Sequence, residues 1–101
     1  MAMTSPSRER IDVRLPEYVS AKQHRELGAF ARYCILRVER ELGERDSWTV
    51  DIALSLSGYS SRIAVADGGL LLEENGTGRD GALATWDAMC RIEQRLRERR
   101  A

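Results

Sequence analysis

Hydrophobic and polar positions alternate most cleanly along residues 48–57. Trp48, Val50, Ile52, Leu54 and Leu56 interleave there with Thr49, Asp51, Ala53, Ser55 and Ser57. A period of two puts the first set on one face of a β-strand and the second on the other. Ile11, Val13 and Leu15 alternate in the same way with Arg10, Asp12 and Arg14. Pro16, which has no N–H to give to a ladder, ends that strand. Between the two strands the period changes. Leu27, Ala31, Cys34, Val38 and Leu42 recur at spacings of four and three, the apolar stripe of an amphipathic helix. Ser20 and Gln23 fit a capping box at its start, and Gly43 supplies the stop after Leu42.

Beyond the central strand, Ser57-Gly58-Tyr59-Ser60 reads as a turn, followed by a strand around Arg62–Ala66. Asp67-Gly68-Gly69 is a hairpin signal, and a last strand follows at about Leu70–Glu74. Asn75-Gly76-Thr77-Gly78 reads as a loop leading to Asp80, a good N-cap for a second helix. In that helix Ala82, Trp86, Met89, Ile92 and Leu96 are expected to face inward, with Phe30, Trp48 and Trp86 in the core. The predicted order is β-α-β-β-β-α. It defines an α+β fold with a four-stranded sheet and two helices packed on one face, antiparallel or nearly so. Leu27, Val38, Met89 and Ile92 then meet Val50, Ile52 and Leu54, and Cys34 and Cys90 are expected to be buried, reduced thiols.

With 101 residues, 43% of them hydrophobic, the chain suits a single domain. That domain is expected over 10–101, after a small, polar, disordered tail at 1–9. No apolar run approaches the length that spans a bilayer, and the first residues lack the apolar core of a secretory signal. A cytoplasmic location follows as the expectation, with no membrane partner and no disulfide framework from two cysteines.

The formal charge is zero, with 16 basic and 16 acidic residues, but the signs are segregated. Residues 46–80 carry two basic groups against six acidic ones, whereas each flanking segment is net basic. On the first helix Lys22, Arg25, Arg32, Arg37 and Arg40 fall within roughly 140° of arc opposite the apolar stripe, shared with Glu26 and Glu44. On the second, the inward set sends Arg91 and Arg95 outward beside Ala84 and Ala88, where small neighbours would let a phosphate backbone come close. Such arginines serve either as a solvated outer face or as an RNA contact.

Catalytic chemistry has little to work with. His24 is the one histidine and has no Cys, Asp or Glu at a metal-ligand spacing. GTGRDG lacks the phosphate-loop pattern and its lysine. Asp51 and Glu73 do not form an indicated acid–base pair, and Tyr33 and Tyr59 are too scattered for a stacking platform. The expectation is a non-enzyme without metal, cofactor or small-molecule substrate.

The element order and the closing helix together resemble the ribosome hibernation-promoting factor and ribosome-associated inhibitor A family, also called sigma-54 modulation proteins. That family closes on D-x-Y-x-A-I-D, then a basic residue followed by L-E-R-Q-L-R. Here DGALATWDAMCRIEQRLR, from Asp80 to Arg97, aligns without gaps, with Asp80, Ala84, Arg91, Ile92, Glu93, Leu96 and Arg97 matched or conservatively replaced. His24–Leu27 gives a looser echo in the first helix. The chain departs from the pattern at Ala82, Thr85 and Trp86, where the family has tyrosine, isoleucine and aspartate. The resemblance implies a short-form translation regulator. It would bind rRNA of the small ribosomal subunit through basic helical residues and block the mRNA/tRNA channel in stress or stationary phase. Arg91 falls on a basic family position and Arg37 does so through the looser alignment. Lys22, Arg25, Arg32, Arg40 and Arg95 come from the helical wheels. A second reading stands beside it: a protein-interaction module or small homodimer that uses Ala53, Ser55, Ser57, Ala64 and Ala66 on the open sheet face.

Overall fold

The computed structural model describes residues 10–17 and 19–100; the tail expected over 1–9 lies outside the described residues. The elements are β1 Ile11–Arg14, α1 Ala21–Leu42, β2 Ser47–Ser55, β3 Gly58–Asp67, β4 Leu70–Gly78 and α2 Gly81–Arg100. They form the expected α+β fold, one four-stranded sheet in the order β1-β2-β3-β4. β1 runs parallel to β2 and the remaining pairs are antiparallel. A parallel pair requires a crossover, and α1 is that crossover.

Local chemistry sets the boundaries of α1. Ser20 Oγ accepts from the Gln23 N–H at 3.1 Å while Gln23 Oε1 accepts from the Ser20 N–H at 3.1 Å. At the other end Gly43, at φ 101°, donates its N–H to the Glu39 carbonyl. Two-residue turns close both hairpins, Leu56-Ser57 between β2 and β3 and Gly68-Gly69 between β3 and β4. Gly68 and Gly69 take φ of 59° and 87°, as a twisted hairpin turn of this length demands.

One sheet face is dry. Trp48, Val50 and Ile52 of β2 and Ile63 and Val65 of β3 are buried against Ala31, Cys34, Ile35 and Val38 of α1 and Ala88, Met89 and Ile92 of α2. The buried Thr85 hydroxyl donates to Ser61 at 3.2 Å, so the polar pair in this layer is satisfied.

Four expectations need correction. The helices are parallel, because contacts between them keep a constant offset: Phe30 meets Trp86, Arg37 meets Glu93 and Glu41 meets Arg97. The cause is topological. Three antiparallel strands are an odd number, so the chain re-enters the helical layer from the end at which α1 began. Second, the first hairpin turn falls earlier than expected, at Leu56-Ser57 with Gly58 already in β3, and β4 continues through Gly78, so Asn75–Gly78 is strand rather than loop. Third, α2 is rotated. Ala84, Thr85 and Ala88 are buried with Met89, Ile92 and Leu96, whereas Trp86 is 43% exposed. A Cβ on Gly76 would lie 2.3 Å from the Ala88 nitrogen, and one on Gly78 would lie 2.7 Å from the Ala84 nitrogen. The helix backbone therefore rests on β4, and only alanines fit beneath it. Fourth, Cys34 is buried but Cys90 is exposed, and both thiols are free.

Candidate nucleic-acid interface

The basic residues are best sorted by what neutralises them. Lys22, Arg25 and Arg40, exposed on the outer side of α1, enter no ion pair among the described residues. At 1.5 Å per residue they mark out about 27 Å along the helix. Arg32 is exposed nearby and donates to the Ile11 carbonyl at 3.4 Å, on the flank of α1 nearest β1.

The other expected site residues are committed elsewhere. Arg37 lies between the helices, with Nη2 2.9 Å from Glu93 Oε1 and its guanidinium carbon 5.5 Å from the centre of the Trp86 ring. The hydrogen bond from Arg37 to Glu93 outweighs burial and holds the guanidinium above its ordinary pKa, firmly charged. Burial pushes the Glu93 carboxyl up, but Arg97 and Arg37 together hold it below the ordinary value. Arg91 Nε is 3.4 Å from Asp87, whose other oxygen accepts the Thr77 N–H at 3.0 Å. Arg95 reaches Glu74 of β4 at 2.7 Å. Arg91 and Arg95 thus flank the β4 side, and the helical layer separates them from Arg25 and Arg32. Ala84 and Ala88 lie beneath α2 rather than beside a phosphate path. The seven expected cations form an α1 set of four, one in the interhelical groove and two on the far flank.

Two aromatic residues join this layer that the hydrophobic pattern assigned differently. Trp86 was expected in the core, and Tyr33 was set aside as scattered; Tyr33 is 60% exposed. Trp86 packs on Phe30 with ring centres 6.4 Å apart, in the groove next to Arg37. The signal for its exposure was Gly76 and Gly78, which demand small residues on the opposing helix face.

The open sheet face has different chemistry. Across the strands, Arg14, Asp51 and Arg62 align in one row and Asp12, Thr49, Ala64 and Glu73 in the next. Among the described residues no three His, Cys, Asp or Glu side chains are grouped to hold a metal ion, and no helix is long and apolar enough to cross a membrane.

This architecture, a mixed four-stranded sheet bearing two parallel helices on one face, is shared with solved structures of other proteins. One is the N-terminal domain of Protein Y from Thermus thermophilus, at TM-score 0.68 and 18% identity, covering 86% of this chain and 93% of that one. Another is a ribosomal subunit interface protein from Coxiella burnetii, at TM-score 0.73 and 13% identity, covering 89% and 96%. No family model matches the chain, and no curated protein matches it in sequence. The likeness is one of fold, and at that level it agrees with the resemblance carried by the closing helix.

Proposed function

We propose that this protein binds the ribosome and regulates translation, contacting rRNA of the small subunit through the outer side of α1. The observation that carries the reading is the uneven neutralisation of a formally neutral chain. Lys22, Arg25 and Arg40 keep their charge free along one helix, while Arg37, Arg91, Arg95 and Arg97 are paired with carboxylates. Free cations in a row attract a phosphate backbone, and each contact releases counterions. The shared fold with a ribosomal subunit interface protein supports the choice of partner. Arg32 borders the contact, and Arg91 and Arg95 add a weaker second one, since Asp87 and Glu74 already offset them. On this reading the protein is a cytoplasmic binding protein rather than an enzyme, and it occupies the path of mRNA and tRNA under stress.

The test is co-sedimentation with purified small subunits over a salt series. Wild-type retention should fall as salt rises, with a log–log slope of about −0.7 to −0.9 per phosphate contact. Reversing Lys22, Arg25 and Arg40 together to glutamate should flatten that slope by about two to three and abolish retention at moderate salt. Reversing Arg91 and Arg95 should cost less, and reversing Arg62 on the open sheet face less again. Retention indifferent both to salt and to the triple reversal would remove this reading.

One observation favours homodimerisation as a second reading. Leu71, 62% exposed, sits opposite Ala66 on the open face, beside Ala64 and the alternating charges of Asp51 and Arg62. Ser57, expected on that face, instead lies in the hairpin turn. A concentration-dependent dimer that Leu71→Arg dissociates would support this reading, and a monomer at all concentrations would exclude it.

A further inference from the structure

We propose that Trp86 is a stacking platform for an unpaired base of single-stranded RNA. The inference rests on the RNA-binding reading above and adds to it the kind of RNA that this surface accepts. Three observations converge on the groove between the helices. Trp86 is 43% exposed although it is large and apolar, and the close seating of α2 on Gly76 and Gly78 leaves no room to turn it inward. Its ring is held in place: Phe30 packs on it at a 40° tilt, and the Arg37 guanidinium lies 5.5 Å from the ring centre. Arg37 is in turn anchored to Glu93, so the cation–ring pair is fixed before any ligand arrives.

The third observation is the setting. Tyr33, one turn before Arg37 and on the same side of α1, adds a second exposed ring. Of the free cations, Lys22 and Arg40 lie along the same outer side of α1 as Tyr33, and Arg25 lies toward β1 beside Arg32. An aromatic face beside unneutralised cations matches the two needs of a single strand, a π surface for the base and positive charge for its backbone. A duplex satisfies only the second, since its bases are already stacked. The charge of the border therefore favours RNA over an apolar protein segment as the occupant.

The chain carries its own reporter. Trp48 is buried and donates its indole N–H to Glu39 at 2.8 Å, which leaves Trp86 as the tryptophan a ligand can reach. Titrations would use dye-labelled oligoadenylate, oligouridylate and an RNA duplex of equal length, with affinity read from the anisotropy of the RNA label in every variant and tryptophan quenching read in the wild type. They would be run on the wild type, Trp86→Phe and Trp86→Leu, with small-subunit sedimentation in parallel. The single strands should quench the wild type, adenylate more strongly than uridylate, and the duplex should not. Trp86→Leu should lose about tenfold in single-strand affinity, while Trp86→Phe keeps most of that affinity. Equal binding of duplex and single strand without quenching would overturn the platform. If salt-dependent retention on subunits persists in that case, the ribosome reading survives, and if no RNA or subunit binds, both fail. Weaker retention of Trp86→Leu on subunits with unchanged affinity for free RNA would make the patch a protein contact and overturn the proposal as well. Should Trp86→Leu fold poorly, quenching of the wild type and the Trp86→Phe affinity still decide the matter.

Discussion

Glu39 shows how a single carboxylate ties three elements together. Its side chain is 7% exposed, and it accepts from Arg10 Nη2 at 3.0 Å, the Arg45 N–H at 3.0 Å and the Trp48 indole N–H at 2.8 Å. Burial pushes its pKa up, but these donors more than offset that and hold it below the ordinary carboxylate value. A carboxyl depressed on folding contributes stability above its unfolded pKa of about 4.3 and loses that contribution as pH falls through the folded value. Glu39→Gln should cost about 1–2 kcal/mol near neutral pH, the scale of losing charge-assisted hydrogen bonds at a part-buried site. It should also flatten the acid limb of stability against pH in urea titrations. Part of that limb should remain, because Glu93 is shifted in the same direction. The thiols give a second residue-scale expectation. Cys90 is exposed, whereas burial raises the Cys34 thiol to about 11. A thiol reagent should therefore modify one group quickly in the native protein and the second only on unfolding, and two fast groups would contradict the packing of α1.

The contact between β4 and α2 is the tightest joint between elements. Gly76→Ala would place a methyl 2.5 Å from the Ala84 carbonyl oxygen as well as against Ala88, all of it backbone. A loss of about 3 kcal/mol or more is expected, at the upper end of overpacking costs. Gly28 lies within α1 with nothing inside 4 Å of an added Cβ, so Gly28→Ala should gain about 1 kcal/mol. Opposite shifts of the urea midpoint in the two variants would check the joint, and equal shifts would refute it. This joint also marks the limit of what the sequence discloses. The boundaries of α1 were readable because Ser20, Gln23 and Gly43 act within a turn of where they stand. The alternation of β2 was equally plain through Ile52, but Leu54, expected against the helices, is 47% exposed and Leu56 lies in the turn. Asn75–Gly78 misled because glycine marks a turn and a close approach in the same way, and the helix that makes the approach follows later in the chain. The same joint reversed the expected roles of Trp86 and of Ala84 and Ala88, since the helix faces were weighted by hydrophobicity when space was decisive. The outward placement of Lys22, Arg25 and Arg40 on α1 was legible from helical spacing alone. That Arg37 and Arg95 are bound by Glu93 and Glu74 was not, since those partners are distant in sequence and meet only when the sheet closes.

At the scale of the whole molecule, the parallel helices are joined along their outer seam by Arg37 with Glu93 and by Arg97 with Glu41 and Glu93. Exposed pairs of this kind are worth little singly, but Glu93 shares two arginines and is itself largely buried. Glu93→Gln should therefore loosen the seam and move Arg37 from its place over Trp86. A change in tryptophan emission at constant far-ultraviolet dichroism would register it, and unchanged emission would argue against the coupling. The parallel pairing of β1 with β2 has a consequence for the order in which the molecule assembles. From Ser47 onward each element packs on its immediate successor in the chain, through turns of two residues. Ile11 and Trp48 are partners only after the whole of α1 has been traversed. Closing that longer loop costs about 2 kcal/mol more than closing a hairpin. A nucleus of β2, β3, β4 and α2 should thus form first, with β1 and α1 docking onto it later. In native-state hydrogen exchange the four residues of β1 should open at a lower free energy than the centre of β3, the most enclosed strand. Protection in β1 equal to that of β3 would mean that the domain assembles as one unit. With the expected gradient, the first strand is the region that could detach while the meander and its closing helix stay folded.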